Sequence, residues 1–358
     1  MQEQLVEEII ACLPQHRSLF SYYKDQYAVY LLQRLCQHAP EDVKRLRQSR
    51  WGKLLNKPLL SDALKYAGQG KLAAEHLEYL CAANPEHYVL TLGCWGEKRR
   101  YDWAQTSRPG ANLVLQLNLK SEYDRAFQAM AGCTANNFTS AAHPFSHKRA
   151  ATLAWARLDV DFATGEVLIE EIQSDLMRDL EAVYRVAKER PADCNGQFYL
   201  YGFMFDKAKA LQYCEQLLAT QRKLWSEAML TAALWFVHRE LGINRVYYHT
   251  FDTGNALKNI RSRKPPRSLY TDLPEQFCFQ QTEEAPAFIA KDKKATRRLK
   301  TIKKPKWYLM ASSYIYQQEE QWQRKSAGIY RAFHSVKPHL LPRESNNPNE
   351  TATPFTRL

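Results

Sequence analysis

The sequence predicts an α+β protein: a helical bundle over residues 1–85, then a mixed, mostly antiparallel sheet with packed helices over residues 86–335. Three observations carry this. Apolar residues recur at helical spacing up to Asn84, and after Pro85 the texture changes to short runs rich in β-branched and aromatic residues. Two of those runs are joined by a short connection containing Gly165, the signature of a hairpin. A chain of 358 residues that is 45% hydrophobic can bury two cores, because domains average about 150 residues.

In the first part Leu5, Ile9 and Leu13, then Tyr27, Leu31 and Leu35, then Leu72, Leu77 and Leu80 mark successive helices. Pro14, Pro40, Pro58 and Pro85 separate them, since a proline inside a helical pattern ends it. Residues 87–92 and 112–119 read as the first strands, the second with Leu113, Leu115, Leu117 and Leu119 in alternation. Residues 152–162 and 166–174 form the hairpin. Residues 176–221 read mostly as helix with a loop near 191–196, and 224–241 as a helix capped by Gly242. Asn244 begins a strand running to Thr250, and 277–281 and 307–313 are further strands. Residues 336–358, rich in Pro, Asn, Thr and Ser, read as a flexible tail.

The formal net charge of +12 points to an anionic partner such as nucleic acid, and the excess is local. The tract from Lys291 to Lys306, KDKKATRRLKTIKKPK, holds nine basic residues against one Asp. It reads either as a phosphate-binding patch or as a solvated loop. Lys258, Arg261, Arg263, Lys264 and Arg267 form a second basic cluster. Eight cysteines are scattered without a CxxC pair, which argues against a zinc site or a disulfide framework and for reduced thiols. No apolar run is long enough to span a bilayer, and the first residues lack a signal peptide's pattern, so the chain is expected to be cytoplasmic, without a membrane partner. His143 and His147 have HxxxH spacing, but Pro144 breaks the helix that a metal pair would need, and no metal ligand is assigned.

The segment VLIEEIQSD, Val167 to Asp175, is the strongest candidate for chemistry. On strict alternation Val167, Ile169, Glu171, Gln173 and Asp175 share one face, while Leu168, Glu170, Ile172 and Ser174 share the other. The candidate catalytic face is therefore Glu171, Gln173 and Asp175, with Glu170 structural. Carboxylates on a central strand need water, a cation, a substrate or a basic partner, and Arg157 across the hairpin is one such partner. His249, beside Asp252, reads as a hydrogen-bonded structural histidine ahead of a proton shuttle, and Trp225, Trp235 and Phe236 as core aromatics.

The hairpin strands with LIEEIQSD, the helix KLWSEAMLTAALWFVHRELGI, the strand NRVYYHT and the Asn of DTGNA resemble the second half of the GNAT acyltransferase fold, over residues 150–282. The resemblance implies acetyl-CoA or another acyl-CoA as cofactor. It makes Glu171 the general base, sets the helix start from Arg222 to Ser226 against the cofactor phosphates, puts Asn255 at the family's Asn position and makes Tyr270 the acid for the leaving thiolate. Lys258 and its basic neighbours would attract the CoA phosphates. The family's glycine-containing phosphate loop is missing, since residues 221–226 read QRKLWS.

The phrase IEEIQSD, followed by the Trp225 helix and a strand ending in Thr250, also resembles a domain of polyvalent proteins from phages and conjugative elements. That resemblance implies a mobile-element setting and, as the alternative function, a non-catalytic component binding nucleic acid or protein. A third reading resembles the PD-(D/E)xK nucleases. Asp159 or Asp161, a turn, then Glu171-Ile172-Gln173 would hold a divalent cation, with Gln173 where Lys is usual.

Overall fold

The computed structural model of the protein describes residues 1–12, 18–81, 84–96, 105–132, 143–144, 151–191, 193, 195–262 and 264–311. Its strands in chain order are β1 (Ser18–Tyr22), β2 (Glu41–Asp42), β3 (Lys71–Leu72), β4 (Glu86–Trp95), β5 (Asn112–Asn118), β6 (Thr152–Asp161), β7 (Glu166–Gln173), β8 (Gln197–Leu200), β9 (Phe203–Asp206), β10 (Arg245–His249), β11 (Gln280–Thr282) and β12 (Trp307–Met310). The helices begin with α1 (Glu3–Cys12), α2 (Gln26–Cys36), α3 (Val43–Gln48), α4 (Ser61–Tyr66), α5 (Glu75–Glu78), α6 (Ser121–Ala131) and α7 (Asp175–Glu189). They continue with α8 (Lys207–Gln221), α9 (Trp225–Arg239), α10 (Phe251–Leu257), α11 (Asp272–Gln276), α12 (Ala287–Ala290) and α13 (Lys293–Leu299).

Eight strands form one mixed sheet in the order β1-β4-β5-β6-β7-β10-β12-β11. Every neighbouring pair is antiparallel except β7 with β10, which run parallel after the crossover through α7, α8 and α9. The mixed sheet with packed helices is thus as expected. The hairpin between β6 and β7 closes where Gly165 takes φ +64° and Asp161 Oδ1 accepts from the Thr164 amide at 3.1 Å. Strand β7 then runs straight into α7, because Ser174 caps the helix by accepting from the Met177 amide.

The two faces of the sheet differ. One is apolar: Leu113, Leu115, Leu158, Val160, Val167, Ile169, Ile172, Val246 and Tyr248 join residues of α2, α7, α8 and α9 in one large core. The opposite face carries two small clusters, Trp95 with Val114 and Trp155, and Leu168 with Tyr247, Leu257, Phe288, Ile289, Ala295 and Trp307. Between these clusters it is polar, and the site lies there.

Residues 1–85 differ from the helical bundle expected of them. Their helices are joined by β1, which pairs with β4 at the edge of the main sheet, and by the small β2/β3 ladder. Val6, Phe20, Tyr22, Leu31 and Leu54 belong to the same core as the sheet and α9. Polar contacts reinforce the junction: Tyr30 Oη lies 2.7 Å from His238 Nδ1, and Arg34 donates to Asn244 at 2.7 Å. Two smaller departures are the β8/β9 hairpin inside the stretch read mostly as helix, and α13, which forms within the basic tract because Asp292 caps it. Expectations for Leu13, Pro14, Cys133, His147, Cys194, Arg263 and residues 312–358 lie outside the described residues. Among the described residues, no helix is long and apolar enough to cross a membrane and no disulfide forms.

Candidate functional site

The ladder between β6 and β7 slips by one residue. Arg157 faces Glu171 and Leu158 faces Ile169, so Glu170 is the extra residue of a β-bulge. The bulge resets the alternation. Val167, Ile169 and Ile172 all enter the large core, while Leu168, Glu170, Glu171 and Gln173 turn to the polar face. The expectation that Glu171 shares a face with Val167 and Ile169, and that Glu170 opposes it, is corrected accordingly.

Each carboxylate has its own buried partners. Glu170 accepts from the Ser107 amide at 2.9 Å and the Ser107 hydroxyl at 2.6 Å, with His249 Nε2 3.3 Å away. Glu171 accepts from Arg157 at 2.5 Å and lies 3.3 Å from the Lys258 ammonium. Lys258 also donates to the Glu170 carbonyl and the Tyr270 hydroxyl, both at 3.2 Å, and Arg157 donates to the Gln105 carbonyl at 3.1 Å. These side chains are all buried.

Burial alone would raise both carboxyl pKa values. For Glu170, His249, Arg157 and Ser107 outweigh it and hold the group at about 2. For Glu171, Lys258 and Arg157 outweigh it and hold the group below its usual value. Burial lowers His249 despite Glu170, and lowers Lys258 despite Glu171. A neutral His249 fits a relay in which its Nε2–H donates to Ser107 Oγ at 2.7 Å and Ser107 donates to Glu170, an assignment made from the hydrogen bonds. Among the described residues His249 Nδ1 is then left without a partner. Burial and the Glu171 charge push Tyr270 well above its usual value.

Two carboxylates are matched by two cations, Arg157 and Lys258. Glu171, the expected base, binds protons less readily than an ordinary carboxylate and accepts from Arg157, the partner anticipated across the hairpin. Gln173 and Asp175 belong to a separate cluster at the start of α7. There Asp175 accepts from Gln173 at 2.7 Å, Arg178 at 2.8 Å and Trp155 at 3.4 Å. His143 Nδ1 also lies 2.8 Å from Asp175 Oδ1. Burial raises Asp175, but His143, Arg178 and Gln173 more than compensate and lower it.

The cofactor positions are dispersed. Arg222 is exposed and pairs with Glu181 at 3.3 Å, and Ser226 sits in α9. The helix abutting the end of β7 is α7, whose first turn carries Asp175 and no glycine. A carboxylate there opposes a phosphate, because helix N-termini already favour one anion and a second repels it. The residues present do not fit acyl-CoA at this end of β7. Asn255 is buried in α10, its amide donating to the Phe251 carbonyl at 2.7 Å and its Oδ1 unpartnered among the described residues.

The nuclease carboxylates are also engaged. Arg108 grips Asp159 through two nitrogens, at 2.7 and 2.9 Å, and reaches Asp161 at 3.1 Å, while the Met1 amine meets Asp159 at 3.0 Å. A divalent cation between Asp159 and Glu171 would face Arg108, Arg157 and Lys258, a strongly repulsive setting. Ser107 and Arg108 were not singled out from sequence. They act from a loop with no periodicity, and only the spacing Val167, Ile169, Ile172 in the strand could have signalled the bulge.

A second feature lies around α10. Thr250 and Thr253 donate to the Lys306 carbonyl at 2.8 and 2.9 Å, and the Arg298 guanidinium donates to the Leu257 carbonyl. The basic tract therefore runs beside α10 from its last turn to its first. Lys264 and Arg267, from the other basic cluster, lie over the Phe251 ring at 5.8 and 4.9 Å. Of the nine cations from Lys291 to Lys306, eight are exposed, and among the described residues none of the eight is ion-paired. Lys258 is the exception in the second cluster, being buried in the network. Comparison with protein-family models, curated proteins and solved structures finds no match to this chain.

Proposed function

We propose that this chain is a nucleic-acid-binding module, gripping its ligand through the phosphate backbone, on an α/β scaffold that we read as GNAT-like. The observation that carries the reading is the meeting of two basic segments at α10: the tract from Lys291 to Lys306 on one side, Lys264 and Arg267 on the other. Exposed, unpaired lysines hold no carboxylate to be displaced, so a polyanion gains their full attraction and releases its own counterions. The scaffold reading is supported by the antiparallel strands leading to β7, its parallel neighbour β10 and Asn255 just beyond. A non-catalytic role is supported by the neutralised Glu171 and by Asp175 where a cofactor phosphate would sit. The mobile-element resemblance of IEEIQSD suits such a component.

The test is fluorescence anisotropy with a labelled oligonucleotide titrated at several salt concentrations. Affinity should fall steeply with salt, with a log–log slope of about −0.7 to −0.9 per phosphate neutralised. Lys293→Glu, Lys294→Glu and Arg297→Glu combined should abolish binding while leaving the melting temperature in place. Absence of binding at low salt would overturn the reading, and a rise in Tm with millimolar acetyl-CoA would restore the acyltransferase in its stead.

A further inference from the structure

We infer that the nucleic acid taken by this surface is single-stranded, with Phe251 as the platform on which one base stacks; the inference rests on the nucleic-acid reading above. Phe251 opens α10 and is held firmly. Thr250 and Thr253 form a reciprocal cap around it, and the Phe251 ring meets Tyr270 edge-on at 6.3 Å. Tyr270 is itself anchored by Lys258, so the inner side of the platform is fixed to the buried network. Gly254, one turn along, packs so closely on His249 that a Cβ there would come within 3.2 Å of the imidazole side chain. The helix cannot easily slide.

The surroundings of the ring select the ligand. Phe251 is half-buried, with Lys264 and Arg267 over it and the Lys306 backbone bonded to the preceding Thr250. Cations beside a half-buried aromatic at the edge of the core match a strand whose phosphates and unstacked base faces are offered together. A duplex hides its base faces. Its grooves are read by a helix with a free face, but Thr253, Gly254, Asn255 and Leu257 of α10 are buried.

The experiment compares one labelled mixed-sequence strand with the duplex formed by its complement, at the same salt, using the whole chain. The wild type should bind the strand more tightly than the duplex. Phe251→Leu keeps an apolar side chain against Tyr270 but removes the π face, and should weaken single-strand binding roughly tenfold with duplex binding and Tm unchanged. Phe251→Trp should retain single-strand affinity. Equal affinity for strand and duplex, or a Phe251→Leu effect that is absent or equal on both, would overturn the inference and leave the nucleic-acid reading intact. Failure to bind either ligand would overturn that reading itself.

Discussion

Glu170 and Glu171 are consecutive in the chain, yet both turn to the polar face of the sheet, one held by Ser107 and His249, the other by Arg157 and Lys258. The second set makes a sharp prediction. Glu171→Ala leaves a guanidinium and an ammonium buried together without their counter-charge, which should cost about 3–5 kcal/mol. Glu171→Gln, still able to accept from Arg157, should cost less. Urea denaturation measures both, and an unchanged midpoint in Glu171→Ala would show that the carboxylate is not needed by its cations.

Acid should act through the same two groups. The folded values of Glu170 and Glu171 lie below those of the unfolded chain, so between the two states the unfolded chain binds more protons, and stability falls as pH falls. The contribution is complete above the ordinary glutamate range near pH ~4.3 and disappears as pH drops towards about 2, the folded value of Glu170. Denaturation midpoints across that window should decline in the wild type and decline less in Glu170→Gln.

Gly110 and Gly165 both have positive φ, +118° and +64°, but only the first is crowded. A Cβ on Gly110 would stand 2.3 Å from the Met1 carbonyl oxygen, whereas one on Gly165 meets nothing within 4 Å. Gly165→Ala should therefore cost about 1 kcal/mol for its left-handed backbone alone. Gly110→Ala should cost about 3 kcal/mol or more, since strain and collision combine. Thermal melts of the two variants side by side decide this.

The legible parts of the fold were those written in local periodicity. The β6/β7 hairpin, the helix α9 shortly before Gly242 and the strand carrying His249 each follow from a few neighbouring residues. The edge pairing of β1 with β4 was not legible, because Phe20 and Tyr22 make only two inward positions in a five-residue strand amid helical spacing. Alternation placed Glu170 with Leu168 correctly but predicted the wrong face for Glu171, Ile172 and Gln173, because a single inserted residue inverts everything beyond it. Part of the site comes from elsewhere in the chain: Ser107, Arg108 and Lys258 reach it only through tertiary structure.

The two outermost strands of the sheet are both short: five residues in β1 and three in β11. An open strand edge is a template for another chain, and its danger grows with length and flatness. Strand β4, ten residues long, would be such a template if it lay outermost. With Ser18–Tyr22 paired to its first five residues, Glu86–Leu90, the segment before Pro85 acts as an edge guard over that half of the strand.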